Sequence, residues 1–149
     1  MRIRRVNHAD LPALLALIAE YQRFYGNASP DDAHNAAFFG DFVTPSPRGM
    51  LIGAYDDDDR PVGYACLYWT FSSVSASHVV LLNDLYVLPS RRGQGAGEAL
   101  IAAAREVAHE RGCSHLRWCT ELHNRRAQRL YERVGAERVA LFEYEFDLR

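Results

Sequence analysis

Cysteine is scarce in this chain of 149 residues, with three in all: Cys66, Cys113 and Cys119, none in a CxxC pair. An odd, scattered set points away from a disulfide framework and toward reduced thiols in a reducing compartment. Long apolar runs are missing as well. None approaches the ~20 residues a helix needs to cross a bilayer, and the opening stretch "MRIRRVNHAD" has no apolar signal-peptide core. The expectation is a cytoplasmic protein with no membrane partner. Excess positive charge is also absent. The formal net charge is −2, which argues against a general polyanion binder. Repeats, low-complexity tracts and linkers do not occur. What remains is 48% hydrophobic and 24% charged, the profile of a globular protein with a real core, read as one domain over residues 1–149.

Periodicity orders the elements. "RIRRV" alternates as a short strand. Asp10 is placed to cap a helix with Pro12 in its first turn; Leu11, Leu14, Leu15, Ile18, Tyr21 and Tyr25 share one face of it, and Gly26 ends it. "SPDDAHNAAFFGDF" reads as a second, short helix. "MLIGAY" and "VGYACLYWTF" form a hairpin around the solvated turn "DDDDRP", and "HVVLLNDLYV" is a third long strand. A helix then runs from about 96 to 111, "HLRWCT" is a strand, and Asn124 caps a helix with Ala127, Leu130, Tyr131 and Val134 on one face and Gly135 after it. "ERVALFEYEFDL" alternates as one or two closing strands. The pattern is one α/β domain with a mixed sheet, hairpin-rich in its first half and β-α-β-α-β in its second.

The chemistry centres on "RRGQGAG", residues 91–97, between a strand end and a helix start. Helix entrances carry unpaired N–H groups and the positive end of the dipole, so they attract anions. Glycines at 93, 95 and 97 let the backbone approach a ligand and turn successive N–H groups inward as a nest. Arg91 and Arg92 add charge, and the natural ligand is a pyrophosphate. Two phosphate-binding patterns fail on spacing. The nucleotide P-loop needs GxxxxGK[ST], and no lysine follows these glycines. The dinucleotide fingerprint GxGxxG/A puts Glu98 or Leu100 in its last position. A plain glycine turn with no ligand stays open on the residues alone.

With its flanks, "LNDLYVLPSRRGQGAGEALI" resembles the acetyl-CoA signature of the GCN5-related N-acetyltransferases, [RQ]-x-x-G-x-[GA], filled by Arg92, Gly95 and Gly97. "NRRAQRLYERVGA" resembles the family's second signature through Asn124, Tyr131 and Gly135. The likeness is detailed from about residue 63 to 136 and is closest to the branch acting on histone tails, D-amino acids and polyamines. It implies a mixed, mostly antiparallel sheet of about six to seven strands flanked by about four helices, with acetyl-CoA as co-substrate and no metal. It also implies the site. Backbone groups of Leu85, Tyr86 and Val87 would hold the pantetheine arm like an added strand. Arg92, Gly93, Gln94, Gly95, Ala96, Gly97 and Glu98 would cradle the pyrophosphate, and Asn124 and Ala127 would line the cofactor arm. Tyr131 would sit near the thioester sulfur.

A phenol with pKa ~10 is protonated at neutral pH and can supply a proton to a departing thiolate, so Tyr131 is the expected general acid; a core aromatic is the rival role. An acceptor amine of pKa ~10.4 is mostly protonated at pH 7, which calls for a general base. Some relatives carry a glutamate where this chain has Asn83. Asp84 is adjacent but, on a regular strand, points to the opposite face. Glu121 is the base candidate carried forward, with Glu20 as a further carboxylate. Tyr21, Tyr25, Asn83 and Asp84 are the expected substrate contacts, and Phe24, Asp31 and Asp32 would also suit a cationic amine. Cys119 reads as a buried core thiol. The expected activity is acetyl transfer to a primary amine, either a small molecule or a protein lysine, in a ternary complex, with a homodimer as the expected assembly. A non-catalytic acyl-CoA sensor is the alternative, and a nucleic-acid role is disfavoured by net acidity.

Overall fold

The strands of the sheet pair in sequence order. The computed structural model describes residues 1–149 and divides into two compact units, Met1–Cys119 and Thr120–Arg149.

In Met1–Cys119, strands β1 (Arg2–Arg5), β2 (Gly49–Tyr55), β3 (Pro61–Ser72), β4 (Ser77–Val87) and β5 (His115–Arg117) form one sheet in the order β1-β2-β3-β4-β5. The first three pairings are antiparallel. The last is parallel and short, joining 79–81 to 115–117. Helices α1 (Leu11–Phe24) and α2 (Asp32–Gly40) precede β2, and α3 (Ala96–Glu110) connects β4 to β5.

Period-two alternation sends one set of side chains to each face. Leu51, Tyr64, Cys66 and Tyr86 join Leu14, Ile18 and Phe39 of α1 and α2 in one core cluster. Their sequence neighbours Ile52, Ala65 and Leu67 are also buried, as are Leu100, Ala104 and Val107 of α3, which packs across β2, β3 and β4. Both faces of the central strands are therefore covered. An amide pair fastens α2 to α1: Gln22 and the buried Asn35 exchange two bonds of 2.8 Å each.

Several expectations change here. Asp10 stands at the cap position of α1 but makes no side-chain bond to the helix; its carboxylate instead accepts from Arg4 at 2.9 Å and from the Asn7 amide at 3.2 Å. Leu17 is buried in α1 and Tyr25 is exposed. The acidic turn is tied down by cations, with Asp56 bonded to Arg91 and Asp59 to Arg2 and Arg4. The strand expected from "HLRWCT" stops at Arg117, and Cys119 is exposed rather than buried.

In Thr120–Arg149 the only regular element is α4 (Arg125–Arg133). The sheet thus has five strands, not six or seven. Residues 137–149 keep their alternating pattern but form no ladder. A strand exists through its partner's hydrogen bonds, and this unit holds no second strand to supply them.

Candidate functional site

The end of β4 leads through a single 3-10 turn, Pro89–Arg91, into the glycines. Gly93 and Gly95 have φ of +77° and +84°, the left-handed region that costs an L side chain roughly 1–2 kcal/mol. A Cβ built on either one would meet no atom within 4 Å, so conformation demands glycine there, and the space beside the turn is open to a ligand. Gly95 is the residue before α3, and the Ala99 N–H to Gly95 carbonyl bond of 3.0 Å opens the helix ladder. Amides ahead of that bond face outward with the positive end of the helix dipole. Ala96 is buried and anchors the entrance, while Gly97 and Glu98 are half-buried in the first turn. The two arginines position this turn. Arg92 Nε donates to the Val87 carbonyl at 2.8 Å, and Arg91 bonds Asp56 at 3.0 Å. Gln94 Nε2 reaches the Ser90 carbonyl at 3.5 Å.

Because β5 pairs with β4 only over 79–81, no strand covers that side of Leu85, Tyr86 and Val87. Their backbone is available for strand-like addition by an extended ligand. The Tyr86 ring turns away into the core, and its hydroxyl donates to the exposed Glu20 at 2.9 Å.

A bulge interrupts β4 ahead of that stretch. Cys66 pairs with Asp84, but Leu67 pairs with Leu82, leaving Asn83 as the extra residue. The bulge breaks the alternation, so Asp84 joins the α1 and α2 face, and the exposed Asn83 does not lie opposite it. Asn83 Nδ2 donates to Asp84 Oδ1 at 3.0 Å and to the Tyr68 hydroxyl at 3.2 Å. Asp84 is only 6% exposed. Burial pushes its carboxyl up to about 6, partly offset by bonds from Tyr21 and Asn83. Tyr21, half-buried, is also within bonding reach of Tyr25, its ring 4.9 Å from that exposed neighbour's. Tyr64 is fully buried, its hydroxyl has no hydrogen-bond partner, and desolvation raises its pKa. The structure thus gathers Tyr21, Asn83 and Asp84, and adds Tyr64 and Tyr68. The sequence marks Tyr64 and Tyr68 as core or intersubunit residues of the hairpin strand; nothing in "LLNDLYV" announces the bulge that joins them to a carboxylate.

In Thr120–Arg149, Asn124 caps α4 as expected, its Oδ1 accepting from the Ala127 amide at 3.2 Å. Ala127, Leu130, Tyr131 and Val134 form a half-buried stripe. Glu121 is exposed, with Oε2 2.9 Å from His123 Nε2.

Known proteins place this geometry. The pattern of the Acetyltransferase (GNAT) family matches residues 14–136. The uncharacterized N-acetyltransferase YhfO of Bacillus subtilis is 37% identical over 137 residues, covering 92% of this chain and 90% of its own. The thialysine N-epsilon-acetyltransferase of Bos taurus is 33% identical over 144 residues, covering 91% of this chain and 83% of its own. The crystal structure of a probable acetyltransferase superposes with a TM-score of 0.88 at 29% identity, covering 100% of this chain and 99% of the other. A bulged strand, a glycine turn at a helix entrance and an asparagine-capped helix thus sit on a chain that belongs to the GNAT acetyltransferase family and is an N-acetyltransferase.

Proposed function

We propose that the chain, as one domain across both of its units, transfers the acetyl group of acetyl-CoA to a primary amine by direct attack in a ternary complex. The observation that carries this is the glycine turn: two left-handed glycines open to solvent at the amide-rich start of α3. That arrangement suits a diphosphate held by main-chain N–H groups. Arg92, Gly93, Gln94, Gly95, Ala96, Gly97 and Glu98 form the cradle. Leu85, Tyr86 and Val87 offer backbone to the pantetheine arm, and Asn124 and Ala127 line it. Tyr131 serves as the general acid that protonates the departing thiolate. The acceptor is a small primary amine, a class that includes the substrate named for the bovine relative.

Thioester consumption with thialysine, D-amino acids and polyamines tests the reading. All 17 basic residues of the chain are arginine, so it offers no lysine of its own, and mass spectrometry of added acceptors reads transfer cleanly. Gly95→Leu should abolish coenzyme A binding while the fold persists. Tyr131→Phe should slow the chemical step by roughly 10²–10⁴-fold with cofactor affinity retained. Cofactor binding without turnover on any amine would instead mark an acyl-CoA sensor.

We also infer a homodimer. Phe142, Tyr144, Phe146 and Leu148 alternate with acidic residues and are each 91–92% exposed. An extended segment with one bare apolar face and no ladder partner is a template for pairing. A second copy presents the same segment, so a two-fold related antiparallel pairing covers both. Sedimentation at micromolar concentration measures the assembly, and a monomer there would refute it.

A further inference from the structure

The acidic turn between β2 and β3 has no part in the acyl-transfer reading, yet it is bonded to the arginine that precedes the glycines. We propose that Asp56 is a positioning residue for coenzyme A, holding the Arg91 guanidinium ready for the diphosphate that the glycine turn receives. This rests on the acyl-transfer reading and extends its cofactor site to a second turn.

The aspartates of "DDDDRP" are not equivalent. Asp57 pairs with the N-terminal amine at 3.2 Å, Asp58 stands 3.8 Å from Arg60, and Asp59 takes Arg2 and Arg4. These three are exposed, whereas the Asp56 side chain is only 15% exposed and bonds outside its own hairpin. Its two oxygens have separate tasks. Oδ1 accepts from the amides of Asp58 at 3.1 Å and Arg60 at 3.0 Å, which closes the turn. Oδ2 accepts from Arg91 at 3.0 Å. The amide bonds fix the carboxylate from one side, so Arg91 meets an anchored partner rather than a mobile one. The same bonds, that of the Arg60 amide first, hold the Asp56 carboxyl below its usual range.

The two arginines before the glycines are used differently. Arg92 is turned back onto β4: its Nε donates to the Val87 carbonyl at 2.8 Å, and its guanidinium stands 5.8 Å from the centre of the Tyr86 ring. Arg91 has its amide bonded to the Leu88 carbonyl at 2.9 Å and its side chain 44% exposed. A planar guanidinium carries several N–H donors, and Arg91 spends one on Asp56. The others suit a phosphate, with which arginine makes short, charge-assisted bonds. A long side chain gives up rotamer freedom when it grips a ligand, and one already held by a partner gives up less. Asp56 thus adds affinity through Arg91, although its own charge repels a diphosphate. Those two effects have opposite signs, which makes the assignment testable.

Calorimetric titration with coenzyme A, 3′-dephospho-coenzyme A and pantetheine reads the effect without turnover. Asp56→Asn keeps an acceptor oxygen for the turn amides and removes the charge that holds Arg91. It should weaken coenzyme A and its dephospho form alike, by roughly 2–10-fold, and leave pantetheine unchanged. Arg91→Ala should weaken the same two ligands by roughly tenfold or more, and adding Asp56→Asn to it should change nothing further. Asp58→Asn removes the same charge from the same turn and should weaken none of the three. In turnover, the Asp56→Asn loss should fall on the KM for acetyl-CoA with kcat retained. Tighter binding in Asp56→Asn would leave only repulsion and overturn the assignment. So would a loss that persists in the Arg91→Ala background, or a loss confined to coenzyme A, which would put Arg91 at the 3′-phosphate. Unchanged affinity in Arg91→Ala overturns it as well, even if Asp56→Asn does not fold. A wild type that binds no coenzyme A would refute the acyl-transfer reading itself, whereas wild-type binding with Asp56→Asn unmoved refutes this proposal alone.

Discussion

Met1–Cys119 and Thr120–Arg149 treat their apolar residues in opposite ways. The first buries a continuous cluster from Val6 to Tyr86 and a second layer under α3. The second buries nothing: α4 has a half-buried stripe, and Leu141, Phe142, Tyr144, Phe146 and Leu148 are almost fully exposed. Burial of apolar area is the main favourable term in folding, about 25 cal/mol per Å². The first unit therefore carries its own stability, and the second has apolar area still to bury. The core of the first unit carries folding, and the bare apolar face of the C-terminal segment is where the proposed homodimer would pair.

The sharpest way to break this contrast is to weaken one apolar residue in each unit. Leu14 is fully buried, so Leu14→Ala should lower unfolding free energy by about 2–5 kcal/mol, through lost transfer energy and the cavity left behind. Phe146→Ser removes a larger side chain, yet that side chain is 92% exposed. In dilute protein it should leave unfolding free energy within ~0.5 kcal/mol while shifting the oligomer toward monomer. Urea titration and sedimentation read the two effects separately. A large stability loss from Phe146→Ser at a concentration where the protein is monomeric would erase the distinction between the units.

The next effect lies inside the first unit, where a buried carboxylate opposes the core that holds it. The Asp84 pKa rises from 3.8 to about 6 on folding. The folded state thus binds the proton more tightly, and stability present below pH 3.8 is lost as pH climbs through about 6. Above that, the ionised carboxylate costs up to roughly 3 kcal/mol. Asp84→Asn removes this cost, so the variant should exceed the wild type by up to that amount at pH 8, with the gap closing by pH 3. Urea titrations at the two pH values measure it. A variant less stable than the wild type at pH 8 would mean that the ionised carboxylate is favourably held, and would remove burial as the source of its basicity.

The contrast also marks what could be read from residues alone. Order and type of the elements were legible because they rest on local periodicity: the hairpin of β2 and β3, the glycine turn, and the Asn124 cap all lie within short windows. Non-local decisions were not. Asn83 shifts the register by one residue, and that single insertion carries Asp84 to the face that alternation denies it. Asp10 matches a capping residue by type, but Arg4 and the Asn7 amide claim its carboxylate. "VALFEYEFDL" has a strand's pattern, yet a ladder needs a partner that the pattern cannot supply. On the candidate site, the glycine turn was visible as a motif, whereas the carboxylate and phenol cluster arises only when α1, β3 and β4 meet.

The smallest effect compares two caps, one in each unit. Asp31 Oδ1 accepts from the His34 amide at 2.8 Å at the start of α2, and Asn124 Oδ1 accepts from the Ala127 amide at 3.2 Å at the start of α4. Either change to alanine should cost about 1 kcal/mol of helix stability. The two costs should surface differently. Helix α2 is coupled to the core through Phe39 and the Gln22–Asn35 pair, so Asp31→Ala should lower global unfolding free energy by about that amount. Helix α4 contributes no buried residue, so Asn124→Ala should speed amide hydrogen exchange over 125–133 and leave the exchange of β3 and β4 unchanged. A global destabilisation from Asn124→Ala equal to that from Asp31→Ala would show that α4 unfolds together with the core and that the two units are one cooperative body.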